Sequence, residues 1–334
     1  MAEENVHWSR KKEHGLGLWQ FRFFSWVVRK CPWPVMSALV AVITFFFFLG
    51  AKQERRISRG YLRRVFKISG RGEPSSFDVY RHILAFSFSM VEKIASSQDC
   101  GPLSRVETRD DDLKKLVAQL NEGKGACLLC SHLGNIEVLR ALAHEKHTHA
   151  SRAFKVIPVI DLSGTAKFNS ILKQLNPSLM ADIVDANSVG TDTIIWMRDQ
   201  IEKGNVVVIA GDRTSAHTAA SRSVCVPFLG EPAYFPMGSF LLVSLLGAPV
   251  YYVFGLRKRD LRVHSPCEML VERAEAETSG PRKGRDERIR CLVEEYARVL
   301  GAHCVEHPYQ WYNFYEFWKI QQEKQQEGYN EKGI

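Results

Sequence analysis

From Asp110 to Leu256 the chain alternates between two spacings, and that alternation limits the folds open to it. The runs Ala126–Cys130 (ACLLC), Phe154–Ile160, Asp182–Val184, Val206–Ala210 (VVVIA) and Pro249–Leu256 read as strands. Between them Asp111–Gln119, Asn135–Glu145, Ala166–Leu175, Thr191–Lys203 and Met237–Leu246 carry apolar residues at helical spacing. Strands separated by helices of about ten to fifteen residues predict an α/β domain, with a largely parallel sheet flanked by helices. A further apolar helix is expected before it, over Val79–Ser96. After it come a β-ribbon over Leu261–Val271, a charged loop at 272–287, a helix over Arg288–Leu300 and an aromatic-rich end at 308–320 (PYQWYNFYEFWKI).

Charge is distributed very unevenly. The 334 residues have a formal net charge of +8, which suits an anionic partner. Met1–Arg71 holds 14 Lys/Arg against 4 Asp/Glu, whereas the remaining 263 residues hold 31 against 33. Four of seven Trp and eight of 19 Phe also fall in the first 71 residues. The basic excess therefore belongs to a segment and not to the folded body, so nucleic acid is not the expected partner. Within that segment Cys31–Ala51 (CPWPVMSALVAVITFFFFLGA) has no charge. Pro32 and Pro34 start a helix near position 34, leaving about 18 residues, or roughly 27 Å. This is marginal for a bilayer core of about 30 Å, so the segment could cross a thin membrane or lie partly embedded; the plainer reading is a buried core helix. The reading is a basic, aromatic membrane-anchor region at 1–71 with a hydrophobic helix at 34–51, followed by a catalytic domain at 72–334. A mean hydropathy of -0.18 argues against a multi-span bundle. The eight cysteines are irregularly spaced in a large chain and read as reduced thiols.

Ionisable residues follow two of the strands. Ser131-His132-Leu133-Gly134-Asn135-Ile136-Glu137 comes directly after ACLLC, at the strand end where open α/β sheets place their sites. His132 and Glu137 are five apart, about 140° on a continuous helix. They converge only if His132 lies in a turn and Glu137 in the first helical turn, which Asn135 as N-cap favours. Glu137 would then orient the imidazole, leaving the other ring nitrogen as a general base; the plainer reading is a capping and surface pair. The strand VVVIA ends in Gly211-Asp212-Arg213. An Arg there can bind phosphate or stabilise an anionic intermediate, or simply close the strand–loop junction. Arg222 follows, then Pro227-Phe228-Leu229-Gly230 and Pro232-Ala233-Tyr234-Phe235-Pro236-Met237-Gly238, turn-forming apolar residues that suit either a hydrocarbon pocket wall or ordinary core. Asp212, Arg213, Arg222 and Asn135 are the candidate substrate-binding residues.

The HxxxxE block after a strand, the GDR block, FLG followed by PAxFPxG, and the aromatic tail occur in this order over most of the chain. Together they resemble the bacterial lipid A lauroyl/myristoyl acyltransferase family, within the lysophospholipid acyltransferase superfamily. The resemblance implies that His132 is the base on an acceptor hydroxyl and Glu137 its orienting acid. It implies an acyl donor that is an acyl carrier protein or CoA thioester, a lipid or glycolipid acceptor, no metal and no resident cofactor. It also implies a bacterial inner-membrane location with the catalytic domain on the cytoplasmic side. The chain departs from the family at GDR, where a short acidic or Asp-Gln block is usual; in this it resembles a divergent predicted-acyltransferase branch.

Other signals carry less. Cys127-Leu128-Leu129-Cys130 is a CxxC inside an apolar strand, without the helix N-terminus that activates redox pairs. His144, His147 and His149 lack HExxH spacing. The tail aromatics suit either core or a lipid interface. Two rivals remain: a serine-type lipid esterase or thioesterase using Ser131 with His132, and a non-enzymatic protein that binds anionic membranes.

Overall fold

A computed structural model describes residues 24, 26–96, 106–108, 111–135, 150–162, 183–213, 223–263 and 265–318. After a helical stretch at 26–30 come α1 (Trp33–Gly50), α2 (Lys52–Ser69) and α3 (Ser76–Ser96). Pro32 is the N-cap of α1, one residue earlier than the sequence suggested, and α2 continues the chain after Ala51 alone. α2 is amphipathic and buries Ser58, Tyr61, Leu62, Val65 and Phe66, ending at Gly70 in the left-handed region (φ 68°).

The remaining elements are β1 (Val106–Thr108), α4 (Asp111–Asn121), β2 (Ala126–Gly134), β3 (Val156–Ile160), β4 (Val184–Asp185), α5 (Thr191–Glu202), β5 (Val206–Ala210), β6 (Ser223–Phe228), β7 (Glu231–Pro236), α6 (Met237–Leu246), β8 (Val250–Arg257), β9 (Cys267–Arg273) and α7 (Arg285–Glu306). Seven strands form one sheet in the order β1-β9-β8-β2-β5-β3-β4. All neighbours are parallel except β8 and β9. The expected α/β architecture is thus present, as a mixed sheet of mostly parallel strands.

Three readings are corrected. The ribbon expected over Leu261–Val271 is instead the pair β8/β9, with Tyr251↔Arg273 and Arg257↔Cys267 in register. The proline-rich stretch taken as turns contains an antiparallel hairpin, β6/β7. Its two-residue turn has positive φ at both Leu229 (49°) and Gly230 (81°), the backbone that a twisted hairpin demands. The first of the site strands runs past Cys130 to Gly134, so His132 lies in a strand and not in a turn. The helices expected at Asn135–Glu145 and Ala166–Leu175 fall, beyond Asn135 itself, outside the described residues.

Alternation along the central strands divides the interior in two. On one face Cys127, Leu129, Val207, Ile209, Tyr252 and Phe254 join α2, α3, α6, α7, the hairpin and the tail. On the other Leu128, Cys130, Val206, Val208, Tyr251 and Val253 join α4 and β9. This explains why ACLLC and VVVIA have no polar residue: both faces of each strand are covered. Cys127 and Cys130 point to opposite faces and so cannot pair, and burial pushes the Cys127 thiol up to about 12.

Candidate active site

The C-terminal ends of the central neighbours β2 and β5 bring two expected residues together. β2 pairs with β8 in register as far as Cys130↔Val253, then resumes at Gly134↔Gly255. Four residues of β2 therefore answer two of β8, and this bulge swings Ser131–Leu133 away from β8. Bulges of this kind re-aim side chains beside active sites. The C-terminal tail takes the place of β8: Tyr312 N–H donates to the His132 carbonyl (2.8 Å) and Gly134 N–H to the Gln310 carbonyl (2.7 Å). Asn135 N–H donates to the Gly255 carbonyl (2.7 Å), closing the bulge.

Gly134 makes this possible. Its φ is +76°, and a Cβ there would lie 2.0 Å from the Gly255 carbonyl oxygen. Gly134→Ala is expected to break the strand's junction with β8 and lower stability by several kcal/mol, a clash with backbone being one of the few ways a single change becomes severe. Thermal unfolding checks this, and an unchanged Tm contradicts it.

His132 meets Asp212 rather than open solvent on its Nδ1 side. Nδ1 lies 2.8 Å from Asp212 Oδ1, and the His132 backbone N–H donates to Oδ2 (2.8 Å). Trp311 Nε1–H also donates to Oδ2 (2.9 Å), and Tyr315 OH donates to the Asp212 carbonyl (3.1 Å). Asp212 is fully buried, while the His132 side chain keeps 30% of its surface. A carboxylate on Nδ1 fixes the hydrogen there and leaves Nε2 as the lone-pair nitrogen. Among the described residues Nε2 has no hydrogen-bond partner.

Electrostatics favour the same form. Burial, and then the Arg213 charge, lower the His132 pKa below its ordinary value against the pull of Asp212. Burial raises the Asp212 carboxyl, but the His132 charge and its hydrogen bonds outweigh this and hold it below the usual carboxylate range. At neutral pH the pair is a neutral imidazole beside a carboxylate, the state a general base needs.

The tail segment 310–312 is itself pinned from behind. Gln310 exchanges two hydrogen bonds with the Arg257 backbone (2.8 and 2.7 Å). The buried Arg257 guanidinium reaches the Tyr312 hydroxyl, the Ala85 carbonyl (2.5 Å) and Glu92 (3.7 Å). His82 on α3 bonds the Trp311 carbonyl (2.9 Å) through Nε2 and the Ser58 hydroxyl (2.8 Å) through Nδ1. Burial lowers the His82 pKa to about 4, so it is a neutral strut.

Beside Arg213, whose Nη2 donates to the Tyr312 carbonyl (3.0 Å), lies a largely apolar cleft of about 170 Å³. Phe47 of α1, Glu54 of α2, Ile83 and Phe86 of α3, and Tyr312, Phe314 and Tyr315 of the tail line it with Arg213. Its wall is aromatic, with Phe86 and Phe314 ring centres 5.2 Å apart.

Several expectations change. Asp212 was expected at the substrate, but its carboxylate has no exposed surface and is spent on His132 and Trp311. Asn135 is 3% exposed at the bulge. Glu137 and Arg222 lie outside the described residues. Trp311, Tyr312 and Phe317 are core, so these tail aromatics are not a lipid-facing surface. Ser131 is buried, and its Oγ accepts the Leu133 amide hydrogen (3.0 Å). Reading the sequence did not find Trp311 or Tyr315 as neighbours of Asp212. They are 99 and 103 residues away, and no local spacing signals such a contact.

The family model described as bacterial lipid A biosynthesis acyltransferase matches residues 4–320. No curated protein matches the chain.

Proposed function

Because the chain belongs to the bacterial lipid A biosynthesis acyltransferase family, an enzyme family of the transferase class, we propose that it moves a fatty acyl group from a thioester to a hydroxyl of a lipid A-like glycolipid, with His132 as general base. One observation carries the assignment of the base: the Nδ1 bond to buried Asp212, which leaves Nε2 to accept a proton at the ends of β2 and β5. His132 Nε2 takes the proton of the acceptor hydroxyl as its oxygen attacks the thioester carbonyl. The resulting oxyanion is stabilised by Arg213, with Arg222 in support. Collapse breaks the carbon–sulfur bond, and the departing thiolate takes the proton back from the imidazolium. Asp212 holds the ring and stabilises its charged form; Glu137, the orienting acid of the HxxxxE motif, is the alternative holder of the ring.

The proposed donor is acyl carrier protein, with a CoA thioester as the alternative; the apolar cleft beside Arg213 would take hydrocarbon. The proposed location is the cytoplasmic face of the bacterial inner membrane, where α1 seats the enzyme. Neighbouring strand residues point to opposite faces, and with Ser131 buried and engaged the geometry favours direct transfer over an acyl-serine route.

The purified full-length protein, given a lipid A precursor and an acyl thioester, should yield a product heavier by one acyl group with equimolar thiol released. Thiol release with free fatty acid and no acylated glycolipid overturns the transfer reading. The rate should also follow the His132 titration. An imidazole with a lowered pKa stays neutral further down in pH, so the acid limb of transfer should have its midpoint below the ordinary histidine value of about 6.5. An acid limb centred above 6.5 contradicts His132 as the base.

A further inference from the structure

α1 is apolar all round, yet it does not stand away from the domain. Met36, Val40 and Thr44 are buried, and Val28, Met36 and Val40 share one cluster with Leu84, Phe88, Val91 and Ala95 of α3. Tyr80, near the start of α3, donates its hydroxyl to the Ala41 carbonyl (2.8 Å) and packs on Phe45 and Phe48 (ring centres 6.3 and 5.6 Å). The second half of α1 thus meets the start of α3 and its first half the end of α3, so the two helices run antiparallel side by side. The opposite face of α1 presents Val35, Leu39, Val42, Phe46 and Leu49, each between 43% and 67% exposed. Their spacing of four, three, four and three residues makes one stripe along the helix.

This packing bears on how the helix can meet a bilayer. An α1 that crossed the membrane would carry α3 to the same depth. α3 holds the ion pair Arg81–Asp260 (3.0 Å), the Asp78–Tyr309 bond (2.7 Å) and Lys93 near its end, groups that hydrocarbon excludes. Directly after α1, α2 exposes Lys52, Arg56, Arg59, Arg63 and Lys67 along a single face. Arg56 bonds Glu316 and Arg63 bonds Glu73, leaving a net positive face next to the apolar stripe. Apolar stripe and adjoining cations are the two attractions by which a helix lies within an interface.

We propose that α1 lies in the plane of the membrane, its stripe dipped into an anionic leaflet and the α2 cations over the headgroups, with both ends of α1 on the side of the catalytic domain. The inference rests on the membrane association proposed above. It also gives the cleft a position: Phe47 of α1 lines it together with Glu54 and Arg213, so the cleft opens beside the seated helix at the boundary of headgroups and tails, where a bilayer substrate can enter sideways.

Labelling from one side tests this without using activity. The full chain carrying Glu3→Cys is placed in sealed membrane vesicles of either orientation and treated with a membrane-impermeant maleimide. Peptide mapping then reads position 3 against the exposed Cys291 of α7. Both positions should be modified in the same vesicle orientation. Modification in opposite orientations overturns the in-plane seat while leaving membrane association intact. Protein recovered in the soluble fraction, as a monomer or as a dimer joined through α1, overturns both. In a second arm, binding to vesicles of zwitterionic lipid alone should be at least tenfold weaker than to vesicles containing phosphatidylglycerol. Equal binding removes the headgroup part of the proposal.

Discussion

His132→Ala is expected to lower acyl transfer about 10³-fold or more, with little change in substrate affinity. A positioned general base contributes about 10²–10⁴ in rate, and no other described imidazole stands at the ends of β2 and β5 to replace it. The substitution takes one donor from Asp212, but the His132 backbone N–H and Trp311 Nε1–H still bond the carboxylate. The fold should therefore survive, at a stability loss of about 1–3 kcal/mol for the bond removed. His132→Asn serves as the control, since its side-chain amide keeps a donor toward Asp212 while lacking a basic nitrogen. Both variants should keep the thermal transition and lose product formation in the mass-spectrometric assay. A folded variant that retains a tenth of the activity sinks the assignment.

How much of this was legible in the sequence follows from the range over which each feature is encoded. β2, β5 and β8 were readable because burial on both faces demands uninterrupted apolar runs. β1 was missed because its three residues, Val106–Thr108, take their pairing from β9, about 160 residues later. The β6/β7 hairpin was hidden by Pro227, Pro232 and Pro236, which usually exclude a ladder; two strands paired only with each other leave one side of each free of ladder bonds, where proline is tolerated. The site was half readable. His132 and the Asp212–Arg213 block stood out because ionisable residues directly follow apolar strands. Their pairing was not readable, since β5 lies beside β2 only through the sheet order. Local spacing offered Glu137, which lies outside the described residues. The role of the tail was equally hidden: PYQWYNFYEFWKI announces aromatic mass but not that one indole N–H is aimed at a buried carboxylate.

Asp212→Asn separates the two acids that could orient the base. An amide in place of the carboxylate would accept from the His132 backbone N–H and from Trp311, and so present its NH₂ to Nδ1. The ring would then carry its hydrogen on Nε2, leaving no lone pair for the acceptor hydroxyl. The comparable exchange in the serine protease triad lowers kcat about 10⁴-fold through the wrong tautomer, and a loss of about 10³–10⁴ with little change in KM is expected here. If Glu137 holds the ring instead, Glu137→Gln will show that loss and Asp212→Asn will not. Trp311→Phe supplies a reading that simple destabilisation does not give. It removes one donor from Asp212 Oδ2, so the carboxylate's negative charge is less shared and pulls harder on a proton at His132. The His132 pKa then rises, and the acid limb of the rate moves to higher pH. A Trp311→Phe enzyme that loses rate evenly at every pH would show that the indole acts as core alone and does not tune the pair.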